Sequence, residues 1–189
     1  MRNILLKKIS TTALFVLPFL HICDAQNANS VKENVSVQYA CMPCGSECDG
    51  AVYEKPGDCS HCNMSLVDRS TITHKNIQPE NLCQLSKEVI FLDVRTVAEF
   101  NGTADQKFGR IKGAINIPVQ ELETRMNELE KYKNKEIIVY CSHSRRSPRA
   151  SYMLTQKGFK QVSNMQGGMS EWKEKVKEAG CNEKLYMAQ

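Results

Sequence analysis

The stretch Lys135-Glu-Ile-Ile-Val-Tyr-Cys141-Ser-His-Ser-Arg-Arg146-Ser147-Pro148 carries the reading of the whole chain. A short apolar run, Ile137 to Tyr140, ends at Cys141, and helix signals begin six residues later. Ser147 reads as an N-cap, Pro148 suits a first turn, and Ala150, Met153 and Leu154 fall at helical spacing before Gly158 stops the helix. Cys141 is therefore expected at the carboxyl end of a strand, in a tight loop that opens into a helix N-terminus. In open α/β sheets that is where ligands bind. Loop and helix-end N–H groups stabilise negative charge, which lowers a thiol's pKa and makes its sulfur nucleophilic.

The flanks fit the same plan. Ile77 to Leu85 reads as a short helix with Pro79 in its first turn. Val89-Ile-Phe-Leu92 is an unbroken apolar run, as in a strand covered on both faces, and Asp93-Val-Arg95 closes it. Thr96 and Glu99 form a capping box for a short helix ending near Gly102. Ala114 to Ile117 is a second strand, stopped by Pro118. Val119, Leu122, Met126 and Leu129 repeat every three to four residues, which predicts an amphipathic helix. Gln161 to Met165 is a last strand, Gly167-Gly168 turns the chain, and Met169, Trp172 and Val176 mark a final helix stopping at Gly180. Alternating strands and helices predict an α/β domain over 77–181, a parallel sheet with helices on both faces. Residues 182–189 read as a tail.

Ahead of this domain lies a segment of different character. Residues 39–67 hold Cys41, Cys44, Cys48, Cys59 and Cys62, with too few apolar residues for a core, so something must staple it. Two Cys-x-x-Cys pairs can gather four thiolates, Cys41, Cys44, Cys59 and Cys62, around one tetrahedral ion, most simply Zn²⁺; soft thiolates also accept Cu(I). A disulfide knot is the alternative, but five cysteines leave one unpaired. Cys48 and His61 fall between the paired positions and are not expected as ligands. Pro43, Gly45, Pro56 and Gly57 supply turns. Residues 26–38 are polar and aperiodic and read as a tether; residues 68–76 read as a linker.

Residues 1–25 read as an export signal: Arg2, Lys7 and Lys8 precede an apolar run from Ala13 to Ile22, and Cys23-Asp-Ala25 leads to a cleavage point. The expected location is periplasmic or extracellular, with no membrane span once the signal is gone. Lipid attachment at Cys23 is the alternative, against which Ile22 is bulky. With three cations and one anion leaving in that segment, the net charge falls from +4 to +2. That mild balance, without a basic stripe interleaved with aromatics, argues against nucleic acid. Cys83 and Cys181 flank the larger domain and are candidates to bridge each other. Nothing in the sequence fixes an oligomeric state.

Two resemblances follow from these residues. Tyr39-x-Cys41 with Pro56-Gly57-x-Cys59-x-x-Cys62-x-Met64-x-Leu66-Val67 resembles the short heavy-metal-binding domain of bacterial efflux and exported proteins, with Met42-Pro43-Cys44 where many members carry Met-His. Leu92-Asp93-Val94-Arg95, Gly113-Ala-Ile-Asn-Ile-Pro118, Val139-Tyr-Cys141 with Arg146-Ser147, and Gly167-Gly168 with Trp172 together resemble a rhodanese domain. In that family's loop a glycine is usual where Ser144 stands. The second resemblance implies a sulfurtransferase that forms a persulfide on Cys141. Its donor would be thiosulfate or a persulfide, its acceptor a thiol or cyanide, and no organic cofactor is needed.

The loop spacing Cys-x4-Arg runs from Cys141 to Arg146. Related phosphatases and arsenate reductases use a loop one residue longer, and here Ser147 occupies the closing position, which favours sulfur over a tetrahedral oxyanion. Arg146 is expected to orient the loop and stabilise charge. Ser142, His143, Ser144 and Arg145 complete the substrate-binding loop. Arg145 attracts an anionic donor or is a solvated charge; His143 assists proton transfer or is simply exposed. Asp93 and Arg95 are expected to pin the strand end as structural support. Two rival functions remain: a metal-binding, persulfide-sensing or docking protein with little turnover, and a redox protein exchanging disulfides at its Cys-x-x-Cys pairs.

Overall fold

The computed structural model describes residues 36–85 and 87–189. The expected export signal and nearly all of the tether lie outside the described residues. No helix among the described residues is long and apolar enough to cross a membrane.

The Cys-rich segment forms a three-stranded antiparallel sheet from β1 (Tyr39–Cys41), β2 (Val52–Tyr53) and β3 (Leu66–Asp68), with β1 in the centre. Its buried residues are chiefly sulfur: Cys41, Cys48 and Cys59, with Cys44, Cys62, Met64 and Leu66 packed around them.

The larger domain is built on a five-stranded parallel sheet. Its strands are β4 (Lys75–Ile77), β5 (Val89–Asp93), β7 (Ile115–Asn116), β8 (Glu136–Tyr140) and β9 (Gln161–Met165), with β6 (Arg110–Ile111) lying outside it. The order across the sheet is β4-β9-β8-β5-β7. Central strand β8 explains the two-layered core. Ile137 and Val139 pack on one face with Ala150 and Leu154 of α2 (Ser147–Gln156). Ile138 and Tyr140 pack on the other with Met169 and Trp172 of α3 (Gly168–Lys175). All four of those strand residues are fully buried, so alternation disappears from the sequence, as expected between two helical layers.

The capping box forms as expected. Thr96 accepts the Glu99 N–H while the Glu99 carboxylate accepts the Thr96 N–H, starting α1 (Val97–Asn101), which Gly102 ends at φ 73°. Several expectations need correction. The 68–76 linker is structured: it runs from the end of β3 through a 3₁₀ turn (Arg69–Thr71) into edge strand β4, paired in parallel with β9. The helix predicted from Val119 is a series of turns followed by a 3₁₀ helix (Met126–Tyr132), although Leu122, Met126 and Leu129 are buried as the pattern required. The segment Ile77 to Leu85 is likewise 3₁₀, over Pro79–Gln84. The final helix breaks at Val176, and α4 (Ala179–Leu185) carries Gly180 inside it.

The expected tail also belongs to the fold. β10 (Tyr186–Met187) pairs with β6. Trp172 donates its indole N–H to Asn182 at 2.8 Å, and Cys83 and Cys181 are disulfide-bonded across 98 residues, tying α4 to the 3₁₀ helix.

Candidate functional site

Cys141 leaves the carboxyl end of β8 and is 1% exposed. The backbone around it is sorted by direction. The carbonyls of Cys141 and Ser142 point away, accepting the N–H groups of Met169 and Ser170 at 2.9 Å each. A Cβ on Gly168 (φ 64°) would sit 2.5 Å from both of those carbonyl oxygens, so the approach of α3 requires glycine. With carbonyls turned outward, N–H groups face the sulfur. Burial pushes the Cys141 thiol up, but the Ser147 hydroxyl, 3.4 Å from Sγ, and the N–H groups of Arg146, Ser147 and His143 outweigh it. The net result is a thiol below its ordinary value, the condition for a thiolate nucleophile. Helix α2 begins one residue earlier than expected: Arg146 takes the cap position and Ser147 is the first helical residue.

Ser144 is the pivot of the loop, with a left-handed φ of 54° in a non-glycine residue. Its hydroxyl accepts from the Asn164 amide at 3.1 Å, and Asn164 also donates to Asn76 at 2.9 Å, so β9 and β4 steady the loop from below. His143 is exposed and meets Phe108 edge-on at 4.9 Å. Arg145 is exposed as well.

Arg146 is committed to an acid. Its guanidinium binds Glu99 through two bonds of 2.7 Å, and the same carboxylate accepts from the Ser142 hydroxyl at 2.9 Å. The Arg146 guanidinium holds the Glu99 carboxyl well below the usual carboxylate range, and Glu99 in turn raises Arg146. One side chain thus caps α1 and clamps the first and last parts of the loop. In the sequence Glu99 is marked only as a cap; its i+3 spacing from Thr96 gives no sign of a partner 47 residues away.

Asp93 and Arg95 form a fully buried ion pair at 2.7 Å. Arg95 also donates to the Gly109 carbonyl at 2.9 Å and lies 5.8 Å over the Tyr140 ring. Asn116 donates to the carbonyls of both Asp93 and Arg95. These contacts join the ends of β5, β7 and β8.

The second cluster is the thiol group of the small sheet. Sγ atoms of Cys41, Cys44, Cys48 and Cys62 lie within 4.8 Å of one another. Around one tetrahedral Zn²⁺, bonds of about 2.3 Å set sulfurs about 3.8 Å apart. The Cys44–Cys48, Cys48–Cys62 and Cys41–Cys48 separations are 3.7, 3.7 and 3.8 Å, and Cys41–Cys62 is 3.2 Å. The donor set fits a thiophilic ion. One member of the expected set changes: Cys48 joins, because the 3₁₀ turn Glu47–Gly50 buries its side chain inward, and Cys59 stands aside. Cys59 has its own partners. The Tyr53 hydroxyl, 3.5 Å away, and the N–H groups of His61 and Cys62 lower its thiol to about 6.

The two clusters adjoin. A cavity of about 540 Å³ is lined by Cys44 and Met64 from the small sheet and by Arg145, Arg146 and Arg149 from the loop and α2.

A buried thiol ringed by amides, at the carboxyl edge of a parallel α/β sheet, defines a thiolate-nucleophile domain. The family model of the Rhodanese-like domain matches residues 79–175, slightly more than half of the chain, and this chain belongs to that family. It is 38% identical over 86 residues to the uncharacterised protein YqhL of Bacillus subtilis, covering 46% of this chain and 62% of that one. A sulfurtransferase of Allochromatium vinosum is 31% identical over 99 residues, covering 51% of this chain and 85% of that protein. Among solved structures, a rhodanese-related protein of Thermoplasma volcanium is 33% identical, with a TM-score of 0.46, over 53% of this chain and 92% of that one.

Proposed function

We propose that this chain is an exported sulfurtransferase that carries one sulfane sulfur on Cys141 and holds a metal ion, Zn²⁺ foremost, on its thiol cluster. The observation that carries the reading is the placement of Cys141, buried at the carboxyl end of β8 beside the Ser147 hydroxyl, with the carbonyls of Cys141 and Ser142 turned away to α3. The Cys141 thiolate attacks the outer sulfur of thiosulfate; the S–S bond of the donor breaks and sulfite leaves with the electron pair. Cys141–S–S⁻ remains, and the N–H groups that favoured the thiolate accommodate its charge. A thiolate acceptor then attacks the outer sulfur, leaving as its own persulfide and restoring the Cys141 thiolate; cyanide leaves as thiocyanate. No general base is required while the thiolate forms by itself. Arg146, neutralised by Glu99, holds the loop, and Arg145 with Arg149 draws in an anionic donor.

Four thiolates on one ion would replace the hydrophobic core that the small sheet lacks. Export is supported by the Cys83–Cys181 disulfide, since such bonds persist in oxidising compartments. The decisive assay compares wild type with Cys141→Ser in thiosulfate:cyanide and persulfide:thiol transfer. Loss of at least about a thousandfold is expected on removing the nucleophile. Equal, slow rates would favour the rival reading of a sensing or docking protein, for which the 1% exposure of Cys141 speaks.

A further inference from the structure

The small sheet does more than sit beside the loop. Its turn at Gly45 (φ 75°) lies so close to the loop that a Cβ there would overlap the Ser144 carbonyl oxygen and stand 2.9 Å from the Arg145 Cα. Gly45 follows Cys44, one of the four clustered thiols. The Asp49 carboxylate accepts the N–H groups of Cys44 and Gly45, at 3.0 and 2.7 Å, and so joins this turn to the one bearing Cys48. Anything that fixes Cys44 and Cys48 therefore fixes Gly45.

On the other side of the contact, Ser144 separates the N–H donors that face Cys141: His143 before it, Arg146 and Ser147 after it. Its left-handed backbone is what lets both groups converge, and a non-glycine residue holds that conformation only when its surroundings insist on it. Asn164, itself bonded to Asn76, holds the Ser144 hydroxyl; Gly45 packs against the Ser144 carbonyl.

We propose that the Cys44–Gly45 turn is a metal-set brace on the persulfide loop, a positioning device that keeps Ser144 left-handed while the four thiols share an ion. Gly45 and Ser144 are its positioning residues, and metal occupancy thereby sets the shape of the Cys141 cradle. The proposal rests on the metal and persulfide readings above, and its test is chosen to fail separately from them.

The full-length protein is prepared with one equivalent of Zn²⁺ and, anaerobically, after chelation. The readout is the pH midpoint of Cys141 alkylation by iodoacetamide, resolved peptide by peptide so that the cluster thiols are counted apart. Chelation is expected to raise the wild-type midpoint by about one unit, as loop donors drift from the sulfur. Gly45→Ala should produce the same rise with Zn²⁺ present. Ser144→Gly is the control that a general loosening would not pass: glycine adopts the left-handed conformation unaided, so its midpoint should be the same with and without Zn²⁺. A wild-type midpoint indifferent to Zn²⁺, or a Ser144→Gly midpoint that moves as far as wild type, overturns the brace. Absence of bound Zn²⁺ by native mass spectrometry overturns it together with the metal reading. Absence of sulfur uptake on Cys141 removes the transfer reading alone, because alkylation does not require turnover.

Discussion

Two sulfur environments stand side by side in this molecule, and they differ in what surrounds the sulfur. Cys141 is a single thiol among N–H groups and one hydroxyl, and its pKa falls despite burial. Cys41, Cys44, Cys48 and Cys62 of the small sheet are surrounded by each other. Burial and the neighbouring thiols push Cys48 up to about 12, and Cys41 higher still. Donors converging on one sulfur stabilise an anion that attacks. Sulfurs converging on one another suppress the anion until a cation arrives, and such sites store metal binding as folding energy. The same element does two jobs because the first site surrounds one sulfur with N–H and O–H donors and the second surrounds sulfur with sulfur.

The sharpest way to break this comparison is in the thiol cluster. Cys48→Ser is expected to lower Zn²⁺ affinity at least about a hundredfold, while Cys59→Ser lowers it about tenfold or less, read by competition with a chromophoric chelator. Equal losses would return Cys59 to the ligand set. Glu99→Gln is next in size. It keeps shape but removes the charge paired with Arg146, and sulfur loading of Cys141 should slow about tenfold, since small displacements at a reacting group are costly. An unchanged loading rate would mean that Ser142 and Asn164 hold the loop without it.

A third test sharpens the Cys141 side. Because its folded-state pKa is lowered, reactivity should rise with pH and level off below the range of an ordinary thiol, about 8.5. The same sign makes the ionised loop a source of stability above that folded value, lost as pH falls through it. A plateau reached only above pH 9 would contradict the reading. The smallest effect on sulfur loading is expected at Cys83–Cys181, which ties α4 to the 3₁₀ helix Pro79–Gln84. Replacing both cysteines by alanine should cost about 2–4 kcal/mol by freeing a long loop in the unfolded chain, seen as a lower Tm with loading kinetics unchanged.

The parallel sheet and the nucleophile's position were legible because their causes are local. β5 and β8 are unbroken apolar runs, and Cys141 stands where one of them stops before a helix signal. What escaped the sequence has distant or weak causes. β4 is an edge strand whose Lys75 and Asn76 are exposed, so no apolar run marks it. The spacing of Val119, Leu122, Met126 and Leu129 reports which side faces the core, not whether hydrogen bonds close at three residues or four. Cys48 lies outside the two Cys-x-x-Cys knuckles in sequence, and only a 3₁₀ turn brings it inward. Glu99 with Arg146, and Gly45 with Ser144, meet only through tertiary packing.

The central claim is that Cys141, and no other cysteine, accepts one sulfur atom from a small donor. Mass spectrometry of the full chain after brief exposure to thiosulfate, with each cysteine peptide weighed separately, tests it most directly. One added sulfur on the Cys141 peptide, removed by cyanide, is the expected result. An unmodified Cys141 peptide, or added sulfur only on the peptides of residues 41–62, would contradict the account.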